Sequence, residues 1–226
     1  MNRKLWEKFD VQTERCYGEN FCIMSDEDCW GKAYTILKRI LKEGRDEQPG
    51  FAPELHILDD ITDFRYDVMG WLEEYMNHLD EEDDYETLLK VCDELLFMFA
   101  WEKCSVSDLY CRRVTALAAM GRRGEAAAFC ENWLAKSADD MQAVAACVYA
   151  QLAVGRVDDA KALIEQYISE GTVCTDKNDV VFFAARKTYD VLGDKKNRRR
   201  VDRILEAYLE ESMVEFMDEE GELPFN

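Results

Sequence analysis

The chain carries 9 cysteines, 2 histidines and 48 acidic residues, the side chains that hold metals, attack carbonyls and move protons. Their spacing limits what they can do. Cys104 and Cys111 lie two turns apart on one helix face if both are helical. A structural zinc site takes four ligands, normally in close pairs. No Cys-x-x-Cys pair occurs, and His56 and His78 are the chain's imidazoles, so the spacing points to thiols packed as small hydrophobes rather than to a metal. A nucleophilic Cys or Ser needs an imidazole in reach. His56 precedes an expected helix, and His78 ends one beside an acidic run, where a cation suits a helix C-terminus. There is no phosphate-cradling Gly-x-x-x-x-Gly-Lys, no dinucleotide fingerprint and no Asp-x-Asp-x-Asp-Gly calcium loop. No catalytic residue, metal ligand or cofactor is expected.

Charge gives a second kind of chemistry. The net charge is −20, against the basic footprint of a general nucleic-acid binder. Residues 51–100 hold 15 acids and 2 bases, which reads as a solvated face plus anions at helix N-termini. Lys195, Lys196, Arg198, Arg199, Arg200 and Arg203 form a basic cluster followed by 8 acids in residues 204–226. The cluster could dock an acidic peptide, RNA or another protomer. The favoured reading is that much of its field is cancelled by those nearby acids, with Arg199 and Arg203 both in helical register with Glu206.

These residues must be positioned by helices. With 48% apolar residues, 12% aromatics, 3 prolines and 11 glycines, the chain can bury a core and lacks the turn residues of an all-β fold. Ile57, Ile61, Phe64, Val68, Trp71, Tyr75 and Leu79 step at helical spacing and predict one long helix. Tyr85, Leu88, Cys92, Leu95 and Phe99 predict the next, across the connector Asp80–Asp84. Further helices are expected near 106–120, 123–136, 139–154, 157–170, 177–192 and 195–215, with Gly121, Gly155 and Gly193 closing three of them. Ser25–Asp28 is a capping-box variant opening a helix with Trp30, Ala33, Ile36, Leu37, Ile40 and Leu41. Residues 44–53 read as a loop or hinge, which divides the chain into 1–50, a helical domain over 54–213 and an acidic tail over 214–226. The N-terminus has no apolar signal run, and the longest uncharged stretch, Met141–Gly155, is too short to span a bilayer. A reduced, cytoplasmic protein is expected.

Gly121-Arg-Arg-Gly-Glu-Ala126 aligns with Gly155-Arg-Val-Asp-Asp-Ala160 at a spacing of 34, each followed by an apolar stripe (Phe129, Cys130, Trp133, Leu134; Leu163, Ile164, Tyr167, Ile168). Steps of 38 lead on to Gly193 and back to Asp83, so four helical hairpins are expected. This pattern resembles the tetratricopeptide repeat family, through Tyr110, Leu117, Gly121, Ala126 and Leu134 in one unit and Val144, Gly155, Ala160, Tyr167 and Ile168 in the next. Residues 105–171 match best. Val114 and Val148 replace the small residue of the first helix, Ala138 and Thr172 replace the usual proline, and Arg198 replaces the alanine of the fourth unit. The chain is also similar, more loosely, to divergent bacterial tetratricopeptide-like proteins that sometimes carry a C-terminal SEC-C metal-binding motif; the clustered cysteines of that motif are absent, the last being Cys174.

The resemblance implies an all-α, right-handed solenoid of about nine helices in antiparallel hairpins. Its concave positions fall on Asp108, Cys111, Thr115, Gln142, Ala145, Tyr149, Phe183 and Lys187. The function it implies is non-catalytic binding of a peptide or helix from a protein partner in that groove. The C-terminal Leu223-Pro224-Phe225 could also fill it. An adaptor acting through the acidic face or the basic cluster is the alternative, and an enzyme hidden among acids and cysteines the third.

Overall fold

The computed structural model describes residues 2–18 and 28–221, with side chains through 211. Among the described residues there are eleven helices and no strand: α1 (Arg3–Gly18), α2 (Cys29–Glu47), α3 (Ile57–Asp60), α4 (Val68–Glu81), α5 (Tyr85–Met98), α6 (Ser107–Ala119), α7 (Arg123–Lys136), α8 (Met141–Ala153), α9 (Val157–Tyr167), α10 (Asp179–Leu192) and α11 (Lys195–Gly221). The chain divides into two compact units, Met1–Val106 and Ser107–Asn226. Two helices exceed the expected nine. One is α1, whose Leu5, Trp6, Phe9, Thr13 and Cys16 are buried on one face. The other comes from a break in an expected long helix.

That break corrects the reading of 57–79 as a single helix. Ile61 and Phe64 belong to the apolar stripe, yet Phe64 is 68% exposed. The backbone turns left-handed at Asp63, Phe64 and Asp67, so the helical register cannot continue. Side-chain carboxylates then cap the new N-terminus. Asp59 accepts bonds from Val68 N (2.6 Å) and Met69 N (3.1 Å), and Asp67 from Gly70 N (3.2 Å). Asp59 is only 2% exposed; burial raises its pKa, and the two backbone N–H groups oppose the rise. The acidic segment is therefore not wholly a solvated face.

In the first unit α1 packs on α2, and α4 packs on α5. Its core is aromatic. Trp6 stacks on Tyr66 at 4.9 Å, Phe9 meets the edge of Trp71 at 5.2 Å, and Trp30 lies 6.0 Å from both Trp71 and Tyr75. Asp28 caps α2 through Gly31 N; Ser25–Glu27, the rest of the expected capping box, fall outside the described residues. α2 runs through Gly44, and the loop after it is tied down. The Arg45 guanidinium donates to Phe51 O, Ala52 O and Met98 O, and Ala100 N donates to Pro53 O at 2.8 Å.

The second unit repeats one joint. Gly121, Gly155 and Gly193 all have positive φ. Each glycine N–H bonds three residues back, and the following N–H reaches five back: Arg122 to Leu117 O, Arg156 to Gln151 O, Asp194 to Tyr189 O, at 2.8–2.9 Å. This is a Schellman closure, in which a left-handed residue satisfies two of the helix's terminal carbonyls. The α4–α5 joint of the first unit has the same closure, with Asp83 at φ 56 in place of glycine and Asp84 N bonded to Leu79 O at 2.9 Å. The hairpin repeat is thus visible in the turn chemistry. Beyond each glycine joint Ala126 and Ala160 are buried, as close approach of the paired helices requires. In the fourth hairpin Arg198 at this position is exposed, and Val201 and Leu205 fill the interface instead.

Candidate interaction groove

α6 packs on α7 and α8, and α8 packs on α9 and α10, so the first helices of successive hairpins stand side by side. Counting back from each joint glycine, Cys111, Ala145 and Phe183 share one register, and Thr115, Tyr149 and Lys187 share another. The joints hold those registers in step, which places equivalent side chains on neighbouring helices at one level.

A cavity of about 610 Å³ opens along these helices, within the 300–1,000 Å³ range of ligand-sized sites. Cys111, Thr115, Gln142, Ala145, Tyr149 and Phe183 line it. Asp108 does not; its carboxylate accepts a 2.8 Å bond from Arg112 Nε on the same helix. Lys187 lies instead in an adjoining depression of about 600 Å³ with Arg186, Asp190 and Arg198, and Tyr149 and Phe183 border both. The remaining walls lie outside the expected concave positions: Ala118, Ala119, Ala126, Ala146, Ala150 and Ala153, with Val114, Val180 and Arg123. The available signal was the run of alanines through α6 and α8. A methyl in place of a longer side chain leaves the room that becomes the groove.

The groove's chemistry is apolar. Its lining contains no histidine, Asp or Glu. Burial, with Asp108 and Asp140 nearby, pushes the Cys111 thiol up to about 11, which leaves it protonated and unreactive at neutral pH. Cys130 and Cys147, behind the same helices, are pushed up to about 12 and about 11, again mainly by burial. Tyr149 is 43% exposed; burial of the rest raises its pKa, and the Arg186 charge works against that. Polar orientation at the mouth comes from Gln142, whose Oε1 lies 3.8 Å from Cys111 Sγ. Its helix is capped by Asp140, which also accepts from Ser107 Oγ (2.6 Å) and Trp133 Nε1 (3.2 Å).

The basic cluster occupies the first turns of α11. Arg198 pairs with Asp190 and, at 3.7 Å, with Asp202. Asp194 closes the N-terminus through Asn197 N at 3.1 Å. Lys195, Lys196, Arg199 and Arg203 are exposed. Among the described residues Glu206 pairs with neither Arg199 nor Arg203; the pair within the helix is Arg198 with Asp202, and Arg198 also reaches Asp190 on α10. Leu223–Phe225 lie outside the described residues.

The two histidines sit in the first unit. His78 lies in the last turn of α4, as expected, and stacks on Trp30 at 5.2 Å. His56 Nδ1 lies 3.5 Å from Cys104 Sγ, a meeting that a sequence separation of 48 conceals.

No protein-family model and no curated protein matches this chain. Among solved structures it is similar to PilW, described as a widely conserved type IV pilus biogenesis factor, at 15% identity and a TM-score of 0.45, over 92% of this chain and 94% of that one. Among the described residues no helix is long and apolar enough to cross a membrane.

Proposed function

We propose that this protein is a non-catalytic interaction module that binds an apolar-faced helix or extended peptide of a protein partner in the α6–α8–α10 groove. The observation that carries this reading is the 610 Å³ cavity walled by alanines and edged by Tyr149 and Phe183. Small residues admit a partner's side chains close to the helix backbones, and a half-exposed aromatic supplies an anchor with little entropy to lose. The raised thiol of Cys111 and the lack of an acid or imidazole in the lining favour binding over catalysis. Core thiols such as Cys92, Cys130 and Cys147 suit a reducing, cytoplasmic setting.

A second reading is an electrostatic adaptor, favoured by the exposed Lys195, Lys196, Arg199 and Arg203. A basic-face complex with an acidic protein or RNA weakens steeply with salt, whereas apolar groove contacts do not. The test is affinity capture with the full chain at about 50 and about 300 mM salt, conditions that bracket strong and weak screening. The bait is compared with a Thr115→Arg, Ala153→Arg variant, which adds two cations at exposed positions of the groove lining. Groove binding predicts a protein kept at both salts by the parent chain and lost by the variant. Retention by the variant, or loss at high salt alone, rejects it.

A further inference from the structure

Two stretches without long regular structure meet in the first unit. Residues 48–56 carry Glu54 and His56, and residues 99–106 carry Cys104. They are stitched together: Arg45 holds Phe51 O, Ala52 O and Met98 O, Pro53 O accepts from Ala100 N, and Glu54 Oε1 accepts from Glu102 N at 2.8 Å. The result brings one carboxylate oxygen of Glu54, one ring nitrogen of His56 and Cys104 Sγ within 4.8 Å of one another.

Three features distinguish this cluster from chance neighbours. First, Cys104 Sγ and His56 Nδ1 are 3.5 Å apart. A zinc ion bonded at about 2.3 Å to sulfur and about 2.0 Å to nitrogen sets those atoms about 3.5 Å apart at a tetrahedral angle. Second, Glu54 is 5% exposed and its Oε2 has no hydrogen-bond partner. A buried carboxylate oxygen without a donor is unfavourable, and a cation satisfies it. Third, His56 Nε2 lies 4.0 Å from Asp60 Oδ2. A carboxylate on the far side of the ring, here at ion-pair rather than hydrogen-bond distance, is the kind of partner that orients metal-bound histidines.

We infer that Glu54, His56 and Cys104 form a three-ligand site for a thiophilic divalent transition ion, zinc foremost. Thiolate and imidazole select this class over magnesium or calcium, which take oxygen donors. Glu54 contributes Oε2 while Oε1 stays on Glu102 N, and Asp60 orients His56. His56 and Cys104 are half-buried, so the fourth position faces solvent and takes water. Binding the ion releases the Cys104 proton and ties the two stretches together.

The test is titration of the reduced, chelator-treated full chain with Co²⁺, then displacement by Zn²⁺. One equivalent is expected, with ligand-field bands of tetrahedral strength and a thiolate-to-cobalt charge-transfer band. Cys104→Ser removes the charge-transfer band. Glu54→Gln, which keeps the Oε1 contact, and His56→Ala each weaken affinity by about 100-fold or more, since loss of an outer-shell partner alone costs 10–100-fold. Cys111→Ser changes nothing. As a readout that needs no variant, Zn²⁺ slows alkylation of Cys104 selectively, followed peptide by peptide in the mass spectrum. No binding, a spectrum without the thiolate band, an unchanged Cys104→Ser spectrum, or alkylation of Cys104 that zinc does not slow would each overturn the site and leave only a thiol–imidazole hydrogen bond.

Discussion

The two units bury apolar surface by opposite means. The first fills its interior with Trp6, Phe9, Trp30, Trp71 and Tyr75, whose rings interlock edge to face and in stacks. The second uses Ala116, Ala126, Ala143, Ala146, Ala160 and Ala184 between its helices. Large rings fill the space between the helices. Small residues let backbones approach, and where the next helix does not follow they leave a groove. The difference gives the second unit an open apolar groove, the basis of the binding proposed above, and the first an aromatic interior.

Truncation and enlargement should therefore hurt different halves. Trp71, 2% exposed and in ring contact with Phe9, Trp30 and Tyr75, should cost about 3–5 kcal/mol when replaced by alanine. Hydrogen exchange read peptide by peptide should show the lost protection in residues 1–106. Equal loss in α6–α11 would break the contrast. The converse change, Ala160→Leu, forces a larger side chain between α8 and α9 and should cost about 1–3 kcal/mol in thermal or denaturant unfolding. An unchanged midpoint would mean the helices are not in close contact there.

Gly155→Ala should cost about 1 kcal/mol, because φ is +80 and no side chain crowds the site, so the penalty is backbone strain alone. The alkaline limb is a further probe. Burial holds the thiols of Cys111, Cys130, Cys147 and Cys174 above their ordinary value, to about 11, 12, 11 and 11. Native thiols stay protonated where unfolded ones ionise, so their contribution is full below the unfolded pKa of about 8.5 and is lost as pH rises toward the folded values. Stability of the second unit should fall between pH about 9 and 12, and Cys130→Ala should flatten that slope. A slope that is unchanged by Cys130→Ala would show the thiol is not linked to folding. Smallest of all, Thr115→Arg and Ala153→Arg should shift stability by less than about 0.5 kcal/mol, since both positions are exposed.

The hairpins were legible because their signals are local. A glycine closing a helix, an alanine five residues on and a 34-residue step are read directly, and even Asp83 fell at its proper offset. The break at Asp63–Asp67 was hidden because apolar spacing continues through it, while the deciding groups are carboxylates that bond to the backbone across a turn. Six of the eight expected concave positions line the cavity, since register follows from the joints. Asp108 did not, because an arginine one turn along engages it. Most of the alanine walls carry no spacing of their own beyond the helices they build, and Glu54, His56 and Cys104 share no spacing that marks them as neighbours.

The most direct test places a photo-crosslinking residue at Thr115, in the groove lining, and in a second protein at Lys196, on the basic face. A protein partner captured from Thr115 and not from Lys196, at high salt as well as low, is the expected result. Capture from Lys196 alone, lost at high salt, would contradict the groove and assign recognition to charge.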